Sequence, residues 1–511
     1  MNTLHRRDVL AGMGSIGLAG VSWPAMAQGT PTSGGTLTIG INDDTKTLDP
    51  TFSIQQAERQ ILHLLYNTLL TIDVDFSLKP ELAKSWTVEN DGKRYVFQLQ
   101  DNVKFQDGTP FDAAAVKFNF ERRLDEKIAS PQRTQLAPII DSVEVLSPLS
   151  FAINLKNPSP GLLAELADRV GFMISPTAAE KYGKDLGTNP VGTGAFKLKQ
   201  WTQGTELTLE RNPNYWESGK PYLDTIVFKA NPNTAIGVQR LMVGEIDYIY
   251  GLQPDALRQL GDKPGIKTEK SKIGRWYTYE WQVDKPPFDN PKLRQAIAHA
   301  IDRDRLNQIT MEGQATIANG PIPSGLWWSS PDNVVYPYDV EKAKKLLAEA
   351  GIAPGTEIPM WTTPTPVDRR LNQLVAEQLA AIGLKINIIP AAISDFYSRQ
   401  VSRAINFSIT NWTQRADPDG LLFILFHSKG FANVTGYNNP KVDELLASGR
   451  VTQDRERRKQ IYAEIKDQIM RDLPYIPIFF AAEFAGYNSK LNGVVWMPDN
   501  HPRFRYAWKV K

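Results

Sequence analysis

"LAKSWTVENDGKRYVFQLQDNVKFQDGTPFDAAAVKFNFER", residues 82–122, changes its period partway along. Tyr95, Phe97 and Leu99 recur at every second position, the pattern of a strand with one buried face. Asp107-Gly108 and Pro110 then end the sheet, and Asp112 is suited to cap a helix carrying Val116, Phe118 and Phe120. Strand and helix in close succession place the chain in the α/β class.

The same alternation of textures extends in both directions. Upstream, "GGTLTIGI" sets Leu37, Ile39 and Ile41 on one strand face, and "AERQILHLLYNTLL" has a helical stripe of Ile61, Leu64, Leu65 and Leu69. Downstream, "VEVLSPLSFAINL" reads as a hairpin, and "NPVGTGAFKLKQW" with "TELTLERNPNYW" as paired strands. "PYLDTIVFKANPN" follows as a strand, and "AIGVQRLMVGEIDYIYG" as helix then strand. From "NPKLRQAIAHAIDRDRLNQI" onward, long helices dominate. In "DRERRKQIYAEIKDQIM" the isoleucines 461, 465 and 469 share one face, and the charge run before them is read as a solvated face, as are Lys342, Lys344 and Lys345. "RRLNQLVAEQLAAIG" leading into "LKINIIP" is the helix-then-strand step of a doubly wound domain, and "PYIPIFFAAEFAGYN" returns to strand.

A chain of 511 residues is too long for one core and is expected to divide into two or three domains. With 41% apolar and 22% charged residues it is globular, and a net charge of +2 gives no clustered basic face for nucleic acid. Twelve tryptophans and 17 tyrosines suit broad binding surfaces as well as cores. Absence of cysteine excludes disulfides, thiolate catalysis and thiolate metal sites. The five histidines show no ligand spacing, and no nucleophile elbow, phosphate loop or complete calcium loop occurs. We therefore expect no catalysis, no cofactor and no metal.

The N-terminal segment "LHRRDVLAGMGSIGLAGVSWPAMAQG" pairs Arg6 and Arg7 with a weakly apolar run that ends in Ala25-Met26-Ala27. It reads as a Tat-like signal peptide over residues 1–27. His5 and Val9 depart from the usual Ser/Thr and Phe. "GMGSIG" at 12–17 fits the dinucleotide fingerprint formally but lies in this leader with no strand before it. No later stretch offers the ~18 apolar residues of a membrane span. Without a cysteine there is no lipid anchor, so the expected address is the periplasm, as a soluble protein.

Several motifs in order now resemble one family. These are the opening stretch, "NPVGTGAFKLKQW", "LERNPNYW", "LMVGEIDYI", "LRQAIAHAIDRDRL", "GPIPSG" and "YDVEKAKKLLAEAG". Together they are similar to the extracellular solute-binding proteins of the peptide/nickel type, family 5, from about Gly35 to the C-terminus. The resemblance implies a type II periplasmic-binding-protein architecture, with two large α/β lobes joined by a hinge and a smaller lobe inserted in the first. The expected division is lobe I over 28–68, 190–283 and 475–511, lobe II over 69–189, and lobe III over 284–474. Crossings between the large lobes are expected near Asp284–Phe288 and Leu473–Pro477. The implied partners are a small or peptide-like ligand, enclosed by hinge closure of a monomer, and the permease and ATPase of an ABC importer. The other reading carried is an exported peptide-holding chaperone or a hydrolase without a transport role.

Specificity is expected in "NWTQRADPDG", residues 411–420. In family members that bind free peptides, a Trp ends this strand and an aspartate three residues later holds the ammonium of the peptide. Here Trp412 is matched, but Arg415 stands in the acidic place and the loop is shorter before Asp417-Pro418. Reversed charge excludes an ammonium there and suits a carboxylate or phosphate. A second reading pairs Arg415 with Asp417 or Asp419 as loop structure. Trp412 is read either as core or as a surface packing on ligand. Thr362 and Thr363, with Arg369 and Arg370 as weaker candidates, end a strand where α/β sheets bind ligands. Trp327 and Trp328 are expected as binding walls, faced by Phe52 across the cleft.

Overall fold

Leu37, Ile39 and Ile41 are buried on one face of strand Thr36–Ile41, as the period of two requires. The computed structural model describes residues 30–41, 45–53, 56–231, 233–261, 263–331 and 335–510; the leader expected over 1–27 lies outside them. It sets this strand at the middle of a seven-stranded sheet, between the parallel strands Tyr248–Leu252 and Thr225–Ala230. Glu206–Arg211 and Phe196–Thr202 extend one side, and Phe484–Asn488 and Ile266–Lys270 the other. Helix Gln56–Leu65 packs on this first lobe through Ile61, Leu64 and Leu65.

The alternating Tyr95, Phe97 and Leu99 are buried in a four-stranded antiparallel sheet, ordered Ala83–Glu89, Arg94–Leu99, Ser150–Leu155, Ile140–Ser147. Helix Ala113–Leu124 covers it, capped by the Asp112 carboxylate, which accepts the Ala115 N–H at 2.9 Å. This insertion is the second lobe.

A six-stranded sheet forms the third lobe: Thr316–Ile317, Tyr475–Ala481, Arg275–Trp281, Phe407–Trp412, Glu357–Thr362 and Lys385–Pro390. Ile461, Ile465 and Ile469 of helix Arg455–Asp472 are buried, as their spacing predicts. One contiguous core runs from second-lobe residues such as Phe97 and Phe120 into third-lobe residues such as Trp276, Phe426 and Tyr462. The lobes are thus in contact with one another.

The crossings between the large lobes fall elsewhere than the sequence suggests. Strands Arg275–Trp281 and Tyr475–Ala481 pair with each other inside the third-lobe sheet. The chain therefore changes lobe between Lys270 and Arg275 and between Ala481 and Phe484, not at 284 and 474. Both crossings run strand straight into strand, so no change of period marks them. The two segments are tied side by side. Ser271 N–H donates to the Glu483 carbonyl at 2.8 Å, Glu483 N–H donates to Ser271 Oγ at 2.9 Å, and Arg275 pairs with the Glu483 carboxylate. Gly274 is needed here for space, because a Cβ would stand 2.4 Å from the carbonyl carbon and oxygen of Ala481. Gly274→Ala is expected to destabilise the protein by about 1–3 kcal/mol, the range of overpacked sites. Urea unfolding measures this, and an unchanged midpoint would show that the crossing has slack.

Candidate functional site

Strand Phe407–Trp412 runs parallel to Glu357–Thr362 and delivers the loop 413–418 at its carboxyl end, where α/β sheets place their ligand sites. The loop ends at helix Asp419–Phe426. Asp417 of the loop and Asp419 at the start of the helix are both held from outside it. Arg458 grips both oxygens of buried Asp417, each at 2.8 Å, and Arg450 Nε donates to Asp419 at 3.0 Å. This corrects the reading of "DRERRK" as a wholly solvated face, since Arg458 is only 4% exposed. It also sets aside Arg415 as the partner of Asp417 or Asp419. The half-buried Arg415 makes no hydrogen bond or ion pair with any described residue.

The opposing wall is also charged. Glu165 ends the short helix Leu162–Glu165, and Asp168 and Arg169 follow it. Arg59 lies 2.6 Å from Asp168 and 3.3 Å from Asp499, and Asp499 also pairs with Arg503 at 2.6 Å. Burial raises the Asp168 carboxyl, but the guanidiniums of Arg59, Arg169 and Arg415 outweigh it and bring the group down to about 2. Burial, and then the charge of Asp168, push Glu165 up to about 7 against the opposing pull of Arg415. Burial likewise lowers His63 and His501, with the charges of Arg503 and Arg59 respectively adding to it, so both rings are neutral at pH 7. Arg59, Arg169, Arg415 and Arg503 thus lie among the carboxylates of Asp168, Asp499, Glu58 and a partly ionised Glu165.

The other expected residues are placed as follows. Trp412 is half-buried at the end of the strand that leads into the loop, and its indole N–H is buried with no acceptor among the described residues. Asp417 is fully engaged by Arg458, which removes it as a free ligand group. Thr362 donates to the Thr363 carbonyl at 3.0 Å and Thr363 to the Asp368 carboxylate, so both hydroxyl protons are used internally. Trp328, 2% exposed, is a core residue rather than a wall. Trp327 packs against that core with Arg455 over its ring at 4.8 Å. Phe52 is exposed, with Arg122 5.7 Å from its ring, and Phe76 is an aromatic packed beside Trp328, at 6.1 Å.

Among the described residues no cluster of His, Asp or Glu fits a metal ion, and no helix is long and apolar enough to cross a membrane. Removing one partner of a buried ion pair costs about 3–5 kcal/mol. Arg458→Leu should therefore destabilise the fold by that order, whereas Arg415→Ala should stay within about 0.5 kcal/mol of the parent. Chemical denaturation of the two variants checks this; a large loss from Arg415→Ala would restore it as a brace of the loop.

Comparison with known proteins agrees with this geometry. The family described as bacterial extracellular solute-binding proteins, family 5 Middle, matches residues 77–433. The glutathione-binding protein GsiB of Salmonella paratyphi A is 30% identical over 500 residues, covering 95% of this chain and 96% of its own. Among solved structures, the ABC transporter-associated periplasmic binding protein DppA of Helicobacter pylori, in complex with the peptide STSA, is 26% identical. It superposes with a TM-score of 0.82 over 94% of this chain and 99% of that one. AgaA of A. tumefaciens R10, in complex with agropinic acid, is 26% identical with a TM-score of 0.77, covering 91% and 95% of the two chains. With its two hinged α/β lobes, inserted third lobe and interlobe cleft, the chain belongs to family 5 of the bacterial extracellular solute-binding proteins, the substrate-binding components of ABC importers.

Proposed function

We propose that the protein captures a small acid-bearing solute, a peptide or peptide-like conjugate, and that Arg415 holds its carboxylate. The observation that supports this most is the guanidinium of Arg415: it makes no hydrogen bond or ion pair with any described residue, while Asp417 and Asp419 are engaged elsewhere. Two relatives are named for acid-bearing ligands, glutathione and agropinic acid. The chain acts as a monomer without turnover, hands its solute to the permease and ATPase of the importer, and reaches the periplasm through the twin-arginine leader.

A charge-assisted hydrogen bond contributes about 1.5–3 kcal/mol. Arg415→Ala should therefore weaken binding of glutathione, used as the probe, by roughly one to two orders of magnitude in calorimetric titration. Arg415→Lys should recover only part, because an ammonium lacks the planar fork. Unchanged affinity in the folded Arg415→Ala protein would remove the arginine from the site. Replacing Arg6 and Arg7 together with lysine should leave the protein in the cytoplasm, as cell fractionation would show; unaltered export would exclude the twin-arginine route.

A further inference from the structure

The carboxyl group of Glu165 lies beside the arginine loop, on a segment of the second lobe that packs against it. Its Oε1 is 3.9 Å from the point where a side chain on Gly420 would begin, and the Cβ and Cγ of Arg415 are each 3.3 Å from that same point. Glu165 and the stem of Arg415 thus flank one glycine from opposite lobes. Every other carboxylate around them has a cation of its own. Asp168 has Arg59, Asp417 has Arg458, and Asp419 has Arg450. The side chain of Glu165 makes no hydrogen bond or ion pair with any described residue.

We propose that Glu165 is a second recognition group of the cleft, which receives an ammonium of the same solute whose carboxylate Arg415 holds. The favoured ligand is then a zwitterion, with its cationic end toward the second lobe and its anionic end toward the third. This rests on the acid-bearing reading above and adds the opposite charge to it. A partly buried carboxyl with no partner is costly to ionise, whereas a ligand ammonium makes its ionised form favourable.

The titratable and charged groups facing Glu165 are Asp168 on its own segment, Arg59 of the first lobe, and Arg415, Asp417 and Asp419 on the opposing segment, with Arg450 and Arg458 balancing the last two. In the absence of ligand its carboxyl sits at about 7. An ammonium docked on it would lower that value, so binding at pH 7 should release about half a proton per site. Affinity for an amine-bearing ligand should weaken as the pH falls below about 7.

The test uses calorimetric titration of the full-length mature protein and Glu165→Gln with glutathione and with N-acetylglutathione, which keeps the carboxylates but loses the ammonium. Each titration is run in two buffers of different ionisation enthalpy. We expect Glu165→Gln to weaken glutathione about tenfold or more, the effect of one charge-assisted hydrogen bond. N-acetylglutathione should be nearly unaffected, and proton release should disappear in the variant. Glu165→Asp should recover part of the affinity, and thermal melts should show all variants folded. Equal losses for both probes, or no loss for either, would overturn the role of Glu165 while leaving that of Arg415 intact. Failure of both probes to bind the parent protein would overturn it together with the acid-bearing reading.

Discussion

Arg458 reaches across from helix Arg455–Asp472 to take both oxygens of Asp417, and this buried pair determines what the rest of the loop can do. Two charges out of water are tolerated only when the geometry between them is good and their remaining valences are met. Here the guanidinium is also bonded to the Gly449 carbonyl, at 3.0 Å, and to the Tyr462 hydroxyl, at 3.3 Å, so it cannot swing to another partner. Asp419 is likewise drawn away by Arg450. Arg415, two residues before Asp417, is left as a cation whose own loop has no anion for it. The protein's own anions that act on it, Glu165 and Asp168, belong to the second lobe.

Charges that matter to this site come from different lobes. Arg415 belongs to the third lobe, Glu165 and Asp168 to the second, and Arg59, Asp499 and Arg503 to the first. Their mutual influence exists only when the lobes lie together. A solute that bridges them stabilises the closed arrangement by its differential affinity for it. The paired crossings at Ser271–Arg275 and Ala481–Glu483, tied by backbone bonds and by Arg275–Glu483, give that closure a narrow axis. Fold, hinge and electrostatics act on the same equilibrium.

Much of this architecture was legible in the sequence because it is periodic. Tyr95, Phe97 and Leu99, the Asp112 cap and the isoleucines of helix Arg455–Asp472 are local signals, and each is found as read. The ordered motifs identified the family, and the loop after Trp412 stood out because its charge is reversed. What was not legible depends on contacts between distant segments. Arg458 looked like one more solvated cation in a run of them, and only the third dimension sets it against Asp417, 41 positions away. Glu165 and Asp168 carry no motif, and the pairing of Arg59 with Asp499 spans 440 positions. The tryptophans 327 and 328 were read as walls from their chemistry alone, yet a core that crosses between lobes takes up Trp328. The crossings were displaced for a related reason: a strand that continues into another strand leaves no break in the pattern.

The central claim is that Arg415 meets an anionic group of the captured solute. A crystal structure of the protein with the solute that co-purifies with it tests this most directly. The account predicts a carboxylate or other anionic group at about 2.7–2.9 Å from the guanidinium of Arg415, the spacing of a charge-assisted hydrogen bond. A solute bound in the cleft with only neutral or cationic groups near Arg415, or bound at another place in the molecule, would contradict it.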